Sequence, residues 1–196
     1  MKTIKKMNLA ILCLGLLFST VSLKCFSQQY HLDNASSELK VYGTSSLHDW
    51  HLDTENHKGY ITIDKNGDLT IDKLKIEVVS ESLKSGKKGM DKNTYKSLAT
   101  DKYKTISFQS TEIKSVNKVS DTNYKVESYG DLTIAGVKKR VSLNFTLNLT
   151  NGKVQLMGEK SFKMTDFNIE PPTALLGTIT TGDAITIKFN TTLISQ

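Results

Sequence analysis

Across Val141, Leu143, Phe145, Leu147 and Leu149 an apolar side chain falls at every second position, with Ser142, Asn144, Thr146 and Asn148 between them. Successive side chains of an extended strand point to opposite faces, so this stretch has one oily and one wet face. The pattern returns near the carboxyl end, where Ile185, Ile187, Phe189 and Leu193 alternate with Thr186, Lys188, Asn190 and Thr192. Thr191 is the one polar residue on that inner row.

Turn chemistry agrees with this reading. Asn151-Gly152 supplies two residues that accept positive φ between Leu149 and the resumed alternation at Val154 and Leu156, which predicts a tight hairpin. Tyr60 to Ile63, Asp64-Lys-Asn-Gly67 and Leu69 to Val79 read as a second hairpin, whose return arm slips register at Asp72-Lys73 and predicts a bulge. Further strands are predicted at 39–44, 105–111, 124–134 and 162–167, giving about eight to ten in all. One short helix is predicted over 91–99, with Asp91 as its N-cap and Tyr95 and Leu98 on one face. The only prolines, Pro171 and Pro172, are adjacent in a loop and interrupt no strand.

Long one-faced antiparallel strands with a single small helix to cover them must bury their apolar face mostly against one another. Curling the sheet on itself achieves that and removes exposed edges, and about eight strands leave an interior wide enough to fill with side chains or hold one small ligand. Periodicity alone leaves a packed barrel, a two-sheet sandwich and a hollow calyx open.

The amino terminus reads as a secretory leader covering 1–27. Met1 to Lys6 carries three lysines, Leu9 to Leu23 carries no charge, and small residues follow near Ser27/Gln28. The apolar run is shorter than the roughly 20 residues a spanning helix needs, so no stable membrane insertion is expected. Removing the leader takes away Lys2, Lys5, Lys6 and Lys24 and no acid, lowering the formal charge from +6 to +2. It also removes both cysteines, Cys13 and Cys25, which excludes a disulfide framework or a cysteine nucleophile in a single domain at 28–196. The lone arginine, Arg140, among so many lysines argues for a solvated cationic coat and against nucleic acid as a partner.

Catalytic constellations are sparse. There is no Gly-x-Ser-x-Gly elbow or phosphate-cradling glycine loop, and most carboxylates fall in turns or at outward strand positions. The chain is therefore read as a non-enzyme. His31, His48, His51 and His57 cluster early, but on an extended segment His48 and His51 face opposite ways. The favoured reading places His48 and Trp50 over one barrel end, with no metal and no cofactor.

Several segments resemble the YceI-like family of lipocalin-like, polyisoprenoid-binding secreted or periplasmic proteins. They are SLKSGKKGMDKNTYKSLATDKYKTISFQS (82–110), GDLTIAGVKKRVSLNF (130–145), KMTDFNIEPPT (163–173) and GDAITIKFNTTL (182–193), with GTSSLHDW (43–50) similar to one branch of the family. The resemblance implies an all-β, antiparallel lipocalin-like barrel of about eight strands with one short helix. It also implies a lumen holding a long-chain isoprenoid, an isoprenoid quinone or a fatty amphiphile for transport or storage, in the periplasm or outside the cell. The inward rows then supply the expected lining: Ile106, Phe108, Val141, Leu143, Phe145, Leu147, Ile185, Ile187 and Phe189. Met90, Tyr95 and Leu98 are candidates for a gate at the mouth, or for ordinary packing of helix on sheet. An envelope-stress or interaction protein with a filled barrel is the alternative, followed by a metal-dependent enzyme using the amino-terminal histidines. Oligomeric state is left open.

Overall fold

The alternating segments form strands in a computed structural model that describes residues 27–195; the leader through Phe26, with both cysteines, lies outside the described residues. In chain order the strands are β1 (Ser27–Leu32), β2 (Glu38–Ser45), β3 (Trp50–Thr54), β4 (His57–Asp64), β5 (Thr70–Val79) and β6 (Leu83–Lys84). Helix α1 (Lys88–Ser97) follows, then β7 (Thr105–Lys118), β8 (Asn123–Ile134), β9 (Val137–Thr150), β10 (Lys153–Lys163), β11 (Thr173–Ala174) and β12 (Ile179–Ser195).

Eight strands close into an antiparallel ring in the order β1-β4-β5-β7-β8-β9-β10-β12, with β12 pairing back to β1. The β9–β10 turn uses Asn151 at φ 51° and Gly152 at φ 73°, as the Asn-Gly signal predicts. In the β4–β5 ladder Thr62 pairs with Lys73 and Ile63 with Ile71, so Asp72 is the extra residue of the predicted bulge.

Three strand paths bend at one level. A 3-10 turn at Asn34–Ser36 separates β1 from β2, residues 55 and 56 separate β3 from β4, and a second 3-10 turn at Ser80–Ser82 separates β5 from β6. Hydrogen bonds lace the bends together: Asp33 N–H to Thr192 O (2.9 Å), Glu55 N–H to Ser82 O (3.0 Å) and Val79 N–H to Asn56 O (3.0 Å). Above the bends β2, β3 and β6 continue from the other half of β12, and β6 pairs with β3 alone. Between β6 and β7 the chain forms α1.

Below the bends the interior is solid. Tyr30, Ile61, Ile63, Leu147, Val154 and Leu193 are wholly buried there and belong to one apolar cluster. The barrel is thus filled at one end and flared at the other.

Two local expectations are corrected. The helix spans Lys88–Ser97, and Asp91 lies in its first turn instead of capping it. Its carboxylate reaches back to the Ser85 N–H (2.8 Å) and hydroxyl (2.6 Å), closing the preceding loop. The strand expected over 162–167 ends at Lys163, where the chain enters a 3-10 turn, Met164–Phe167. Asp166 accepts from the Lys163 N–H (3.0 Å), and Asn168 leaves the turn at φ 57°.

Candidate ligand cavity

Following the inward row of β12 upward from the core gives the depth of the cavity. Leu193 is in the closed core, Thr191 and Phe189 line a deep chamber of about 110 Å³, Ile187 stands at a neck, and Ile185 faces a vestibule of about 820 Å³. Val41, Leu83, Ile106, Phe162 and Ile187 line both spaces and so form the neck.

Of the residues expected to line a lumen, Ile106, Phe108, Val141, Leu143, Ile185, Ile187 and Phe189 all border one chamber or the other. Phe145 and Leu147 do not. They share the inward face of β9 with Val141 and Leu143, but they lie on the filled side and are 5% and 0% exposed. Alternation sets which way a residue points. It does not set whether the space there is void or occupied.

The mouth is framed by three segments. Met90 of α1 and Leu98 at its carboxyl end border the vestibule, together with Leu47 and His48 of the β2–β3 loop, Trp50 at the start of β3, and the turn carrying Leu175 and Leu176. The loops are tied by the Ser46 N–H to Thr180 O (2.9 Å) and the Thr180 N–H to Ser46 Oγ (3.1 Å). Tyr95 is not part of the mouth. Its hydroxyl accepts from Lys84 Nζ (2.6 Å) and lies 2.9 Å from Glu81 O and 3.1 Å from Leu83 O, which ties the far side of α1 to β6.

Among the described residues no carboxylate borders either chamber; the ionisable side chains there are His48, Lys87, Lys92 and Lys160. Among the described residues Lys160 is the only charged one lining the deep chamber. It sits where β9 and β10 part, since their pairing ends at Phe145 and Gly158, and its ammonium leaves the interior to donate to Ser142 Oγ on the outer face (3.1 Å). The aliphatic stem lines the wall while the charge stays wet.

The histidines do not converge. His48 Nδ1 lies 2.7 Å from the Asp49 carbonyl, His51 is exposed beside Tyr42 and 3.6 Å from Asp53, and His31 stacks near Tyr60. His57 is buried with neither ring nitrogen bonded. Among the described residues no group of three or more His, Cys, Asp or Glu side chains could hold a metal ion. Sequence reasoning missed Phe162, Met164, Phe167 and Ile169 as lining. Only the first lies on a strand.

The YceI-like domain model matches residues 30–193. The chain belongs to the YceI-like family. Solved structures resemble it over most of its length. BcnA of Burkholderia cenocepacia superposes with a TM-score of 0.67 at 17% identity, covering 82% of this chain and 98% of that one. A polyisoprenoid binding domain from Saccharophagus degradans gives 0.66 at 14% identity, with 85% and 98% covered. The YceI protein of Campylobacter jejuni gives 0.57 at 18% identity, with 73% and 84% covered. At these identities the likeness establishes the YceI-like barrel itself. No curated protein matches the chain by sequence. Among the described residues no helix is long and apolar enough to cross a membrane.

Proposed function

We propose that the protein binds one long-chain apolar molecule, a polyisoprenoid, an isoprenoid quinone or a fatty amphiphile, with its tail in the deep chamber and its head in the vestibule. The observation that carries this reading is a blind cavity, lined by no carboxylate among the described residues, that narrows from about 820 Å³ to a chamber of about 110 Å³ above a solid floor. The larger space falls in the range typical of small-molecule sites, roughly 300–1,000 Å³. The filled-barrel alternative fits only the lower half of the molecule. Membership of the YceI-like family and likeness in fold to a polyisoprenoid binding domain favour the same ligand class.

Each methylene moved from water to such a lining gains about 0.8 kcal/mol, so tail burial outweighs any single polar contact. A bilayer offers equal burial, and the net preference for protein over membrane is correspondingly small. The role that follows is carriage or storage in an aqueous compartment, without chemical turnover. With a leader removed near Ser27/Gln28, that compartment is the periplasm or the exterior.

The test is organic extraction of protein purified from its own host, followed by mass spectrometry. A long-chain lipid at about one per protein is expected. Repeatedly clean extracts from protein that also fails to take up an added fluorescent fatty acid would overturn the reading.

A further inference from the structure

The apolar rim of the vestibule is placed where no core can use it. Leu175 and Leu176 are 72% and 108% exposed, and Leu47 across the mouth is 67% exposed. Both turn leucines have left-handed backbone, φ 48° and 58°, a region that glycine and asparagine occupy with far less strain. The turn is closed by the Gly177 N–H to Ala174 O (3.1 Å) and the Thr178 N–H to Leu175 O (3.2 Å), which hold the tip outward.

Two lysines stand on the same mouth. Lys87 and Lys92 border the same vestibule, both are exposed, and neither ammonium pairs with a carboxylate among the described residues. The nearest acid of α1, Asp91, is occupied by Ser85. An oily tip and unpaired cations on one mouth suit an anionic lipid surface: leucines enter the acyl boundary while lysines meet headgroup phosphates.

We infer that the mouth docks on anionic bilayers through Leu47, Leu175 and Leu176, together with Lys87 and Lys92, so that a lipid passes between membrane and lumen without entering water. This rests on the carrier reading and supplies what it lacks kinetically. Escape of a free tail into water slows roughly fourfold per methylene, whereas a docked mouth presents a continuous apolar path.

The test compares wild-type protein with a Leu175→Ser/Leu176→Ser variant and a Lys87→Gln/Lys92→Gln variant. All share one amino terminus, so any binding by that segment cancels. Val119→Ser is the control, because Val119 is an apolar residue 60% exposed in the β7–β8 turn, far from the mouth. Sedimentation with phosphatidylethanolamine:phosphatidylglycerol (3:1) vesicles is expected to fall about tenfold for the leucine variant and severalfold for the lysine variant, with the control unchanged. With protein loaded to equal occupancy with a pyrene-labelled fatty acid, transfer to vesicles should accelerate with vesicle concentration in the wild type and lose that dependence in the leucine variant. Wild-type sedimentation by the leucine variant, or transfer independent of vesicle concentration in the wild type, overturns docking and leaves the carrier reading intact. Failure of the probe to enter the wild-type lumen instead sinks the carrier reading, and sedimentation still decides docking by itself.

Discussion

Gly43 lies opposite Trp50 across the β2–β3 ladder, and the Trp50 indole fills the space that a Cβ on residue 43 would need. The ring is pinned there by its Nε1–H, which donates to the Thr44 carbonyl (2.9 Å). Glycine is therefore what lets the indole lie flat against the strand and face the vestibule. Gly43→Ala is expected to push the ring off its seat at a cost of about 1–3 kcal/mol. Because Trp50 is the only tryptophan, its emission reports the change directly. The variant should show a shifted spectrum and a smaller response to added ligand, and an unaltered response would mean that the indole does not border the bound molecule.

The inward rows of β10 and β12 also make tail length adjustable in both directions. Ile187→Trp closes the neck between vestibule and chamber, so co-purifying lipids should shorten. Leu156, 2% exposed and lining the deep chamber, separates that chamber from the solid core. Leu156→Ala should lengthen the lipids recovered while lowering stability by about 2–5 kcal/mol in urea denaturation. Identical chain-length profiles for both variants, read by mass spectrometry of extracts, would place the tail elsewhere.

The face of each strand was legible because the period of two is imposed by the backbone itself, and the β9–β10 turn and the Asp72 bulge were legible because each carries its own local chemistry. Height along the barrel was not. Val141, Leu143, Phe145 and Leu147 look alike in sequence, and the boundary between void and core falls in the middle of them because β2, β3 and β6 flare away above bends that no single residue announces. Helical spacing held one clue that went unused: Met90, Thr94, Ser97 and Leu98 repeat at intervals of four, three and one, whereas Tyr95 is rotated well off that stripe. The exposed leucines at 175 and 176 sit in a segment whose pattern resembles ordinary strand approach. Nothing in their sequence reveals positive φ.

Asp91 fastens α1 to the loop before it. Burial pushes its carboxyl pKa up, but hydrogen bonds from the Ser85 hydroxyl and N–H and the charge of Lys84 outweigh that and hold it below the usual range. A depressed folded pKa contributes stability that is present above the unfolded value and lost as pH falls through the folded one. The staple is thus intact at neutral pH. Asp91→Ala should cost about 1–3 kcal/mol locally, seen as faster hydrogen exchange across residues 84–92 and faster ligand release. Unchanged exchange there would show that α1 is held by its other contacts alone.

His57 makes the fold sensitive to mild acid. It starts β4 with its side chain turned inward on the same face as Ile61 and Ile63, its N–H donates to Asn34 Oδ1 (2.9 Å), and neither ring nitrogen finds a partner. Burial lowers its pKa from 6.5, so the native imidazole stays neutral where the unfolded one takes up a proton. Above the unfolded value both states are neutral and stability is unaffected. As pH falls below it, the unfolded chain binds the extra proton and stability drops by up to about 1.4 kcal/mol per pH unit, until the native ring also protonates. Urea midpoints measured between pH 7.5 and 5 should therefore fall for the wild type. His57→Leu removes two unpaired buried nitrogens as well as the titration, so it should be the more stable protein at pH 7.5 and lose most of the slope below pH 6.5. A variant with the wild-type slope would assign the acid sensitivity to groups other than this ring.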